Sequence, residues 1–431
     1  MIARLRLFIL CCLVVAAIPG YCLDITDTST QIFHPDFRTL KVEVADDFMS
    51  VPVIALNGDR EIVISFDEIA PERSYLCYSL YHCNADWKQS QLLDSEYVSG
   101  FNKADVDDTG YSRATYVRYV NYRITLPSED MEPLVSGNYL LTVYPEDDPD
   151  DILLQARFSI SENIVPVAAT ASIHTDRGAS DSDVQQLEIT LNTEYLPNLD
   201  PFSELLVVVE QNRDPSTRTT VRNPLRVTPK SVTYAHNADL IFPAGNEWRR
   251  FETVRADYPG MHTDSTRYRR DTGTYHAYLQ LDEGRSDKPY LYDRTQFGRF
   301  KIHEYNSTDS DLGADYIDTH FTLDFPQVMN ADIYLDGDFT GHQLLPDYRL
   351  EYNTDDHLYH AVVPLKQGSY NYRYVAVKRD EEGNPIGTAT PSLVEGDKSE
   401  TINEYHIQVF LRTHGSRADR LVGDTTVYTT F

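Results

Sequence analysis

Residues 74–101 read SYLCYSLYHCNADWKQSQLLDSEYVSGF and decide the fold. The first ten residues alternate between the two faces of an extended chain, and both faces carry large apolar side chains. Such a strand is typical of the centre of a sheet that is covered on both sides. Two later segments, 112–127 and 135–144, are also rich in aromatic and β-branched residues, which favour strands. The block from 74 to 144 therefore predicts a β-sheet built around its first strand.

The rest of the chain repeats a pattern of short strands separated by turns. The whole chain contains 30 Tyr and 17 Phe, and Pro, Gly, Asn and Asp interrupt the apolar segments at short intervals. The predicted strands are 62–66, 74–81, 116–126, 138–144, 153–160, 187–193, 205–211, 274–281, 297–305, 331–335, 360–364, 370–378 and 405–412. This spacing favours β-sandwiches over a parallel sheet with crossover helices. The predicted fold class is all-β, with tandem immunoglobulin-like or early-set β-sandwich domains.

Three sandwich domains are expected after the N-terminal segment. The first spans 23–162, and the segment NIVPVA at 163–168 reads as a linker into the second. The second spans 163–312 and the third spans 313–431, because a new run of alternating strands opens near Ala314. No repeat of fixed period is visible, which argues against a solenoid or a propeller.

The N-terminal segment predicts export. Residues 1–22 carry two arginines before an apolar run from 7 to 18, which is shorter than the roughly 20 residues of a membrane-spanning helix. We therefore expect residues 1–22 to be a signal peptide that is removed. Tyr21 argues against lipidation of Cys22, since the residue before a lipid-bearing cysteine is normally small. No later stretch is apolar enough to span a bilayer, so a soluble, exported protein without direct membrane insertion is expected.

The composition is strongly acidic. The formal charge is −29 over 431 residues, and a field of this sign repels the phosphate backbone of nucleic acids. It also disfavours docking onto anionic lipid in the absence of a local basic patch. The charge therefore predicts no nucleic-acid partner, and it is also compatible with the simpler role of keeping an exported protein in solution.

Two cysteines remain once the signal peptide is removed. Cys77 and Cys83 are six residues apart on one predicted strand, which separates their Cα atoms by roughly 20 Å and puts them beyond disulfide reach. We expect two buried free thiols. A zinc site formed by His82, Cys83 and Asp86 is the alternative, but three ligands so close together lack the usual spacing and a second cluster. No metal or other cofactor is therefore predicted.

Two segments carry motifs specific enough to suggest a family. The first is HCNADW at 82–87 together with EYVSGF at 96–101, and the second is the chain end at 395–423, EGDKSETINEYHIQVFLRTHGSRADRLVG. With the N-terminal signal, they resemble the plug-protein family of the Bacteroidetes type IX secretion system. The resemblance implies a non-enzymatic periplasmic protein, attached to the inner face of the outer membrane. It also implies that this protein closes the periplasmic mouth of the outer-membrane translocon β-barrel when no cargo is engaged.

The same two segments supply the candidate partner-binding residues. The candidates are Trp87, Tyr97, Arg412, Arg417, Asp419 and Arg420. Aromatic and arginine side chains are the usual anchors of protein interfaces. Two alternatives remain open from the sequence. The aromatic loop either packs on its own sandwich or presents anchors to a partner, and the charged cluster forms either an internal salt-bridged turn or a cationic knob.

A turn in the third predicted domain offers a different function. The segment ADIYLDGDFTG at 331–341 resembles the early-set sandwiches that accompany glycogen-binding enzymes, whose turn carries a tryptophan for sugar stacking. Here Thr340 and His342 stand at the asparagine and tryptophan positions, so we expect a structural turn. Asp336 and Asp338 lack the spaced oxygen ligands of a calcium loop.

The sequence contains no motif for catalysis. It lacks G-x-S-x-G and H-E-x-x-H, and the many carboxylates will include pairs at glycosidase separation by chance. We therefore expect no enzyme activity and no small-molecule substrate. The alternative function is an exported carbohydrate-binding, surface-glycan-associated β-sandwich protein, which would require an exposed aromatic platform.

Overall fold

The computed structural model describes residues 28–176, 183–380, 382–383 and 385–430. The predicted signal peptide and Cys22 lie outside these ranges. Within them the chain is built from β-strands, and the helices are single turns. They are the α-helical turns Asp94–Tyr97, Pro201–Glu204 and Ser310–Gly313 and the 3-10 turns Pro215–Thr217, Ala238–Leu240, Asp338–Thr340 and Pro346–Tyr348. The all-β prediction is confirmed. In the described part, no helix has the length and apolar character needed to cross a membrane.

The first module has a sandwich of two sheets around the core from Phe37 to Ile160. One sheet contains, in spatial order, Gln31–Ile32, Leu154–Ser161, Gly137–Pro145, Leu76–Cys83 and Ala104–Asp105, with Val53–Ala55 pairing to Leu154–Ser161. The other contains Phe37–Val44, Ile62–Glu68, Val120–Leu126 and Asp108–Tyr111. Val98–Gly100 pairs separately with Met131–Pro133. Strand Leu76–Cys83 is buried on both faces, as its sequence predicted.

The second module is built around one nine-stranded sheet. Its strands, in spatial order, are Thr219–Val221, Leu205–Gln211, Glu404–Leu411, Arg420–Thr430, Val167–Ser172, Val184–Asn192, Ser231–Tyr234 and Arg226–Val227, with Ile241–Pro243 pairing to Val184–Asn192. The core combines residues 165–242 with residues 405–422. The end of the chain thus lies between strands that precede it by about two hundred residues, with Leu205 opposite Leu411.

The third module has two sheets around the core from Phe251 to Val394. The five-stranded sheet contains Arg249–Glu252, Gly368–Arg379, Phe300–Ile302, Ala331–Asp336 and Pro385–Thr390. The six-stranded sheet contains Thr263–Arg269, Thr274–Leu279, Tyr316–Asp324, Leu358–Lys366, Glu351–Asn353 and Asp282–Glu283. Stacked rings of Phe251, Tyr370 and Phe300 occupy its centre.

The three cores divide the chain differently from the predicted domains in two respects, the division at 312 and the placement of the last two strands. The first core ends at Ile160 and the second begins at Val165, close to the expected division at 162. The expected division at 312 runs through the third core, which already includes Phe251. The last two strands do not belong to the third module, because they complete the sheet of the second. Pairing between strands so far apart in sequence leaves no local signal.

One predicted strand begins later than expected, for an identifiable reason. The strand predicted at 116–126 starts at Val120. The carboxylate of Asp315, from the third module, accepts hydrogen bonds from the backbone N–H groups of Tyr116 at 2.7 Å and Val117 at 3.0 Å. These two N–H groups therefore donate to another module and do not pair with a neighbouring strand.

The two described cysteines are free and buried, as predicted. The Sγ atom of Cys77 lies 3.1 Å from a carboxylate oxygen of Asp105. Burial raises the pKa of the Cys77 thiol to about 11 and that of the Cys83 thiol to about 12. Both groups are therefore protonated and poorly reactive near neutral pH.

Candidate partner-binding site

The signature loop, residues 84–91, folds back onto its own sheet. The backbone N–H of Trp87 donates to the carbonyl of Asn84 at 2.9 Å, and Trp87 has a φ of 64°. A bulky residue in this left-handed region is uncommon and must be held by its surroundings. The indole packs against Cys83 and Leu140, and the guanidinium of Arg157 lies 4.3 Å from the ring centroid. Trp87 is only 8% exposed, so the loop packs on its own module.

Tyr97 is also an interior residue. It ends the helical turn Asp94–Tyr97 and is 1% exposed. Its hydroxyl lies 3.0 Å from the carbonyl oxygen of Leu80 and 2.7 Å from Oδ1 of Asp94. Burial, followed by the carboxylate of Asp94, raises the pKa of Tyr97 far above its usual value. Tyr97 therefore anchors the segment after the signature loop to the central strand.

The chain-end turn, residues 412–420, packs directly on the signature loop. Asp419 accepts a hydrogen bond from the N–H of Ala85 at 2.9 Å and donates its own N–H to Oδ1 of Asn84 at 3.2 Å. Arg412 donates to the same Asn84 oxygen at 2.6 Å, and its Nε lies 2.7 Å from Oδ1 of Asp419. The two segments that carry the sequence motifs are therefore joined to each other in the fold.

Two further arginines extend this contact. Arg417 pairs with Glu96, and Nε of Arg420 donates to Oε1 of Glu162 at 2.8 Å. Burial alone would raise the pKa of Glu162, but hydrogen bonds from Arg420 and Ser136 hold it below its usual value. The charged cluster is thus a salt-bridged turn. The side chains of Arg412, Arg417 and Arg420 nevertheless remain 46%, 49% and 47% exposed.

Close packing beneath the charged contact leaves no room for a side chain at two positions, which are both glycine. A Cβ on Gly137, which has a φ of 141°, would lie 2.3 Å from Nε2 of His82. A Cβ on Gly423 would lie 2.2 Å from the carbonyl oxygen of Val165. Between these points Ala85 joins a small apolar cluster with three residues of the second module, Val208, Phe410 and Leu421. The first and second modules therefore share an interface with both apolar and charged contacts.

The alternative zinc site is not assembled. His82 directs Nε2 at the carbonyl of Ser136, 3.0 Å away, and burial lowers its pKa. Cys83 contacts Trp87, and Asp86 pairs with Lys88 at the surface. Among the described residues, His82, Cys83 and Asp86 do not form a group with ligand atoms close enough to share a metal ion.

The described residues do contain one candidate metal-ligand group, at the 331–341 turn. Ligand atoms of Asp214, Asp336 and His342 lie within 4.8 Å of one another. Arg373 pairs with both carboxylates, and its Nε lies 2.7 Å from Asp336. Burial opposes a charge on His342, but Asp336 and Asp338 raise its pKa well above the usual value. Cations of the protein already neutralise this group, so it does not fit a metal centre.

The same turn offers no sugar platform. Phe339 packs against Tyr348, with ring centroids 6.1 Å apart, and against Tyr370 at 5.7 Å. His342, at the tryptophan position, is held between two carboxylates, 2.9 Å from Asp336 and 3.2 Å from Asp338. The turn is structural, in agreement with the sequence interpretation.

Two buried ion pairs between modules were missed by sequence reasoning. Lys366 of the third module pairs with Asp67 of the first at 2.6 Å, and their side chains are 1% and 0% exposed. Arg299 of the third module pairs with Glu404 of the second at 2.7 Å, with both side chains 1% exposed. The partners are 299 and 105 residues apart in the chain. The one local hint was a lysine at the end of the apolar segment AVVPLK.

Comparison with known proteins gives a match to a family model and similarity to solved structures. Residues 37–162 match the family model described as the type 9 secretion system plug protein 1st domain. Similar solved structures include a hypothetical protein from Parabacteroides merdae ATCC 43184, with 37% sequence identity and a TM-score of 0.88. That match covers 93% of this chain and 99% of the other. The search of curated proteins gave no match.

Proposed function

Because the chain belongs to the type 9 secretion system plug protein family, we propose that it closes the periplasmic mouth of the type IX outer-membrane translocon when no cargo is engaged. The mature protein acts in the periplasm, at the inner face of the outer membrane. Its partner is the translocon β-barrel, and its action requires neither catalysis nor a cofactor.

The observation that carries this proposal is the way the three modules are joined. Buried ion pairs link the third module to both others, through Lys366–Asp67 and Arg299–Glu404. Contact between the signature loop and the chain-end turn links the first module to the second. A body with buried polar contacts at each junction resists relative motion of its modules, because separating them would strand unpaired charges.

A stiff body suits the physical task of a plug. A channel wide enough for folded cargo leaks small solutes whenever it is idle. Closing it requires a broad, preformed surface that does not lose conformational entropy on docking. Release on arrival of cargo requires moderate affinity, which favours a polar interface with a few anchors.

The candidate residues take two roles in this proposal. Arg412, Arg417 and Arg420 contact the barrel through the exposed halves of their side chains. Trp87 and Tyr97 are buried and stabilise this surface by packing beneath it. Asp419 positions Arg412 and the signature loop, and so serves the interface without being its anchor.

The experiment combines a deletion with point variants in the native organism. Deleting the gene should raise outer-membrane permeability to small dyes and antibiotics while most cargo secretion continues. Wild-type protein should restore the barrier, and tagged protein should co-purify with the barrel. Arg417→Glu with Arg420→Glu should weaken both effects, whereas Arg60→Glu, in an exposed pair with Asp47, should not. The proposal would be refuted if the deletion strain kept normal outer-membrane permeability and the tagged protein did not co-purify with the barrel.

Carbohydrate binding is the alternative function, and it would require an exposed aromatic platform. Tyr116 and Tyr268 are 56% and 41% exposed and contact each other and Tyr275 at the surface. The rings of Tyr116 and Tyr268 are tilted by 42°, so they form no flat platform. Calorimetric titration with glycogen and β-glucan oligomers should show no binding. Binding that is lost in Tyr116→Ala would establish this second function.

A further inference from the structure

A cavity of about 150 Å³ lies where the three modules meet. The first module contributes Trp87 and Arg157 to its wall, the second contributes Arg213 and His406, and the third contributes Arg299. This volume has room for several waters or one small polyatomic ion.

Cationic side chains outnumber acidic ones on the cavity wall, although two of them pair with carboxylates outside it, Arg299 with Glu404 and Lys41 with Asp311. Its cationic side chains are Lys41, Arg157, Arg213, Arg218 and Arg299, and its acidic side chains are Glu43, Glu210 and Asp338. His342 also lines the cavity, and its carboxylate neighbours raise its pKa well above the usual value. An excess of cationic groups within a chain of net charge −29 is a local arrangement that favours an anion.

Two buried nitrogen atoms of the wall have no hydrogen-bond partner among the described residues. Arg299 is 1% exposed, and its terminal nitrogens donate to the carboxylate of Glu404 and to the carbonyl of Gln296. Its Nε has no acceptor. Nε2 of His406 is also buried and unpartnered, with the nearest carboxylate, that of Asp424, 3.9 Å away. Buried polar groups without a partner are rare, because each one costs free energy.

The buried charge of a third side chain, Arg218, is only partly balanced by neighbouring groups. Arg218 donates to the carbonyl of Ala85, and its nearest carboxylate, on Glu210, is 3.6 Å away. Burial lowers the pKa of Arg218 in spite of this neighbour. An added negative charge in the cavity would offset that burial.

We propose that this cavity is a binding site for a small oxyanion, of the phosphate, sulfate or small carboxylate class. Its oxygens accept hydrogen bonds from donors of the wall, including Arg299, and contact side chains of all three modules. The bound ion thereby ties the modules together at their common junction. This inference does not depend on the proposed function, since it rests on the cavity and its donors.

The chain offers a direct optical test, because Trp87 lines the cavity and the protein has only one other tryptophan, Trp248. In a Trp248→Phe background, Trp87 emission is followed during separate titrations with inorganic phosphate, sulfate and citrate, at constant ionic strength kept with chloride. A saturating change is expected with at least one ion, together with a saturating rise in Tm. General salt stabilisation does not saturate in this way.

Variants then assign the response to the cavity. Arg213→Gln should weaken binding at least tenfold, because it removes one wall cation, whose side chain is 19% exposed and pairs with Asp338 at 3.1 Å. Arg60→Gln, distant in the exposed pair with Asp47, should leave the affinity unchanged. Saturation by phosphate and sulfate alone would identify a tetrahedral oxyanion, and saturation by citrate alone a carboxylate ligand. No saturation with any of the three, or equal affinity in Arg213→Gln, would overturn the proposal.

Discussion

Replacing Lys366 by methionine should strongly destabilise the junction between the first and third modules. Its ammonium lies 2.6 Å from Asp67, 2.7 Å from the carbonyl of Asp311 and 4.1 Å from the ring centroid of Tyr119. Methionine nearly preserves the volume but removes the charge. The carboxylate of Asp67, whose side chain is 0% exposed, is then left without its counter-ion.

The magnitude follows from what remains around Asp67. Removing one partner of a buried ion pair typically costs about 3–5 kcal/mol. Asp67 keeps hydrogen bonds from Tyr316 at 2.7 Å and Asn121 at 2.8 Å, which solvate part of its charge. We therefore expect a loss near the lower limit, about 3 kcal/mol. The double variant Lys366→Met with Asp67→Asn should recover a large part of it, because no buried charge is then unpaired.

The assay is urea unfolding followed by tryptophan fluorescence and by circular dichroism, on wild type, both single variants and the double variant. The resulting cycle isolates the coupling between Lys366 and Asp67. Lys230→Met is the matched control, because Lys230 pairs with Glu194 at the surface with 71% of its side chain exposed. It should leave the midpoint unchanged. A loss below about 1 kcal/mol in Lys366→Met, or no recovery in the double variant, would refute the reasoning.

Three further predictions concern other buried groups. Asp419→Ala should lower the free energy of unfolding by about 1–3 kcal/mol, since the N–H of Ala85 loses its acceptor, and a change near zero in urea unfolding would contradict the observed contact. The pKa of His342 is raised in the folded protein, so its protonated form should stabilise the fold. This stabilisation should be complete below the pKa of histidine in the unfolded chain, about 6.5, and should decline as the pH rises toward the folded pKa. Wild type should therefore lose stability relative to His342→Gln above pH 6.5, and parallel curves would rule this out. Cys77 and Cys83 should resist alkylation in the native protein and both react after unfolding without reductant, whereas a bridge detected by mass spectrometry would disprove free thiols.

The local parts of the fold could be predicted from the sequence, because they depend on short-range patterns. The strand predicted at 205–211 has the same bounds in the structure, and the strand predicted at 74–81 appears at Leu76–Cys83. Alternation of side chains across a strand is a property of neighbouring residues, so it is readable without the fold. The separation of Cys77 and Cys83 along one strand likewise predicted two free thiols.

Only the tertiary structure decided how the candidate site is built. Both motif segments were visible in the sequence, but nothing there indicated that Asp419 would hold Ala85, and it left open whether Trp87 packs inward or faces a partner. Nor did the sequence show that Glu404–Leu411 completes the sheet of the second module, which removes the last strands from the third module. These contacts join residues hundreds of positions apart, and the periodicity of a strand carries no information about its distant partner. Sequence alone therefore determined which segments are strands and which loops are distinctive, while the pairing of remote segments determined their burial, their charges and the cavity between the modules.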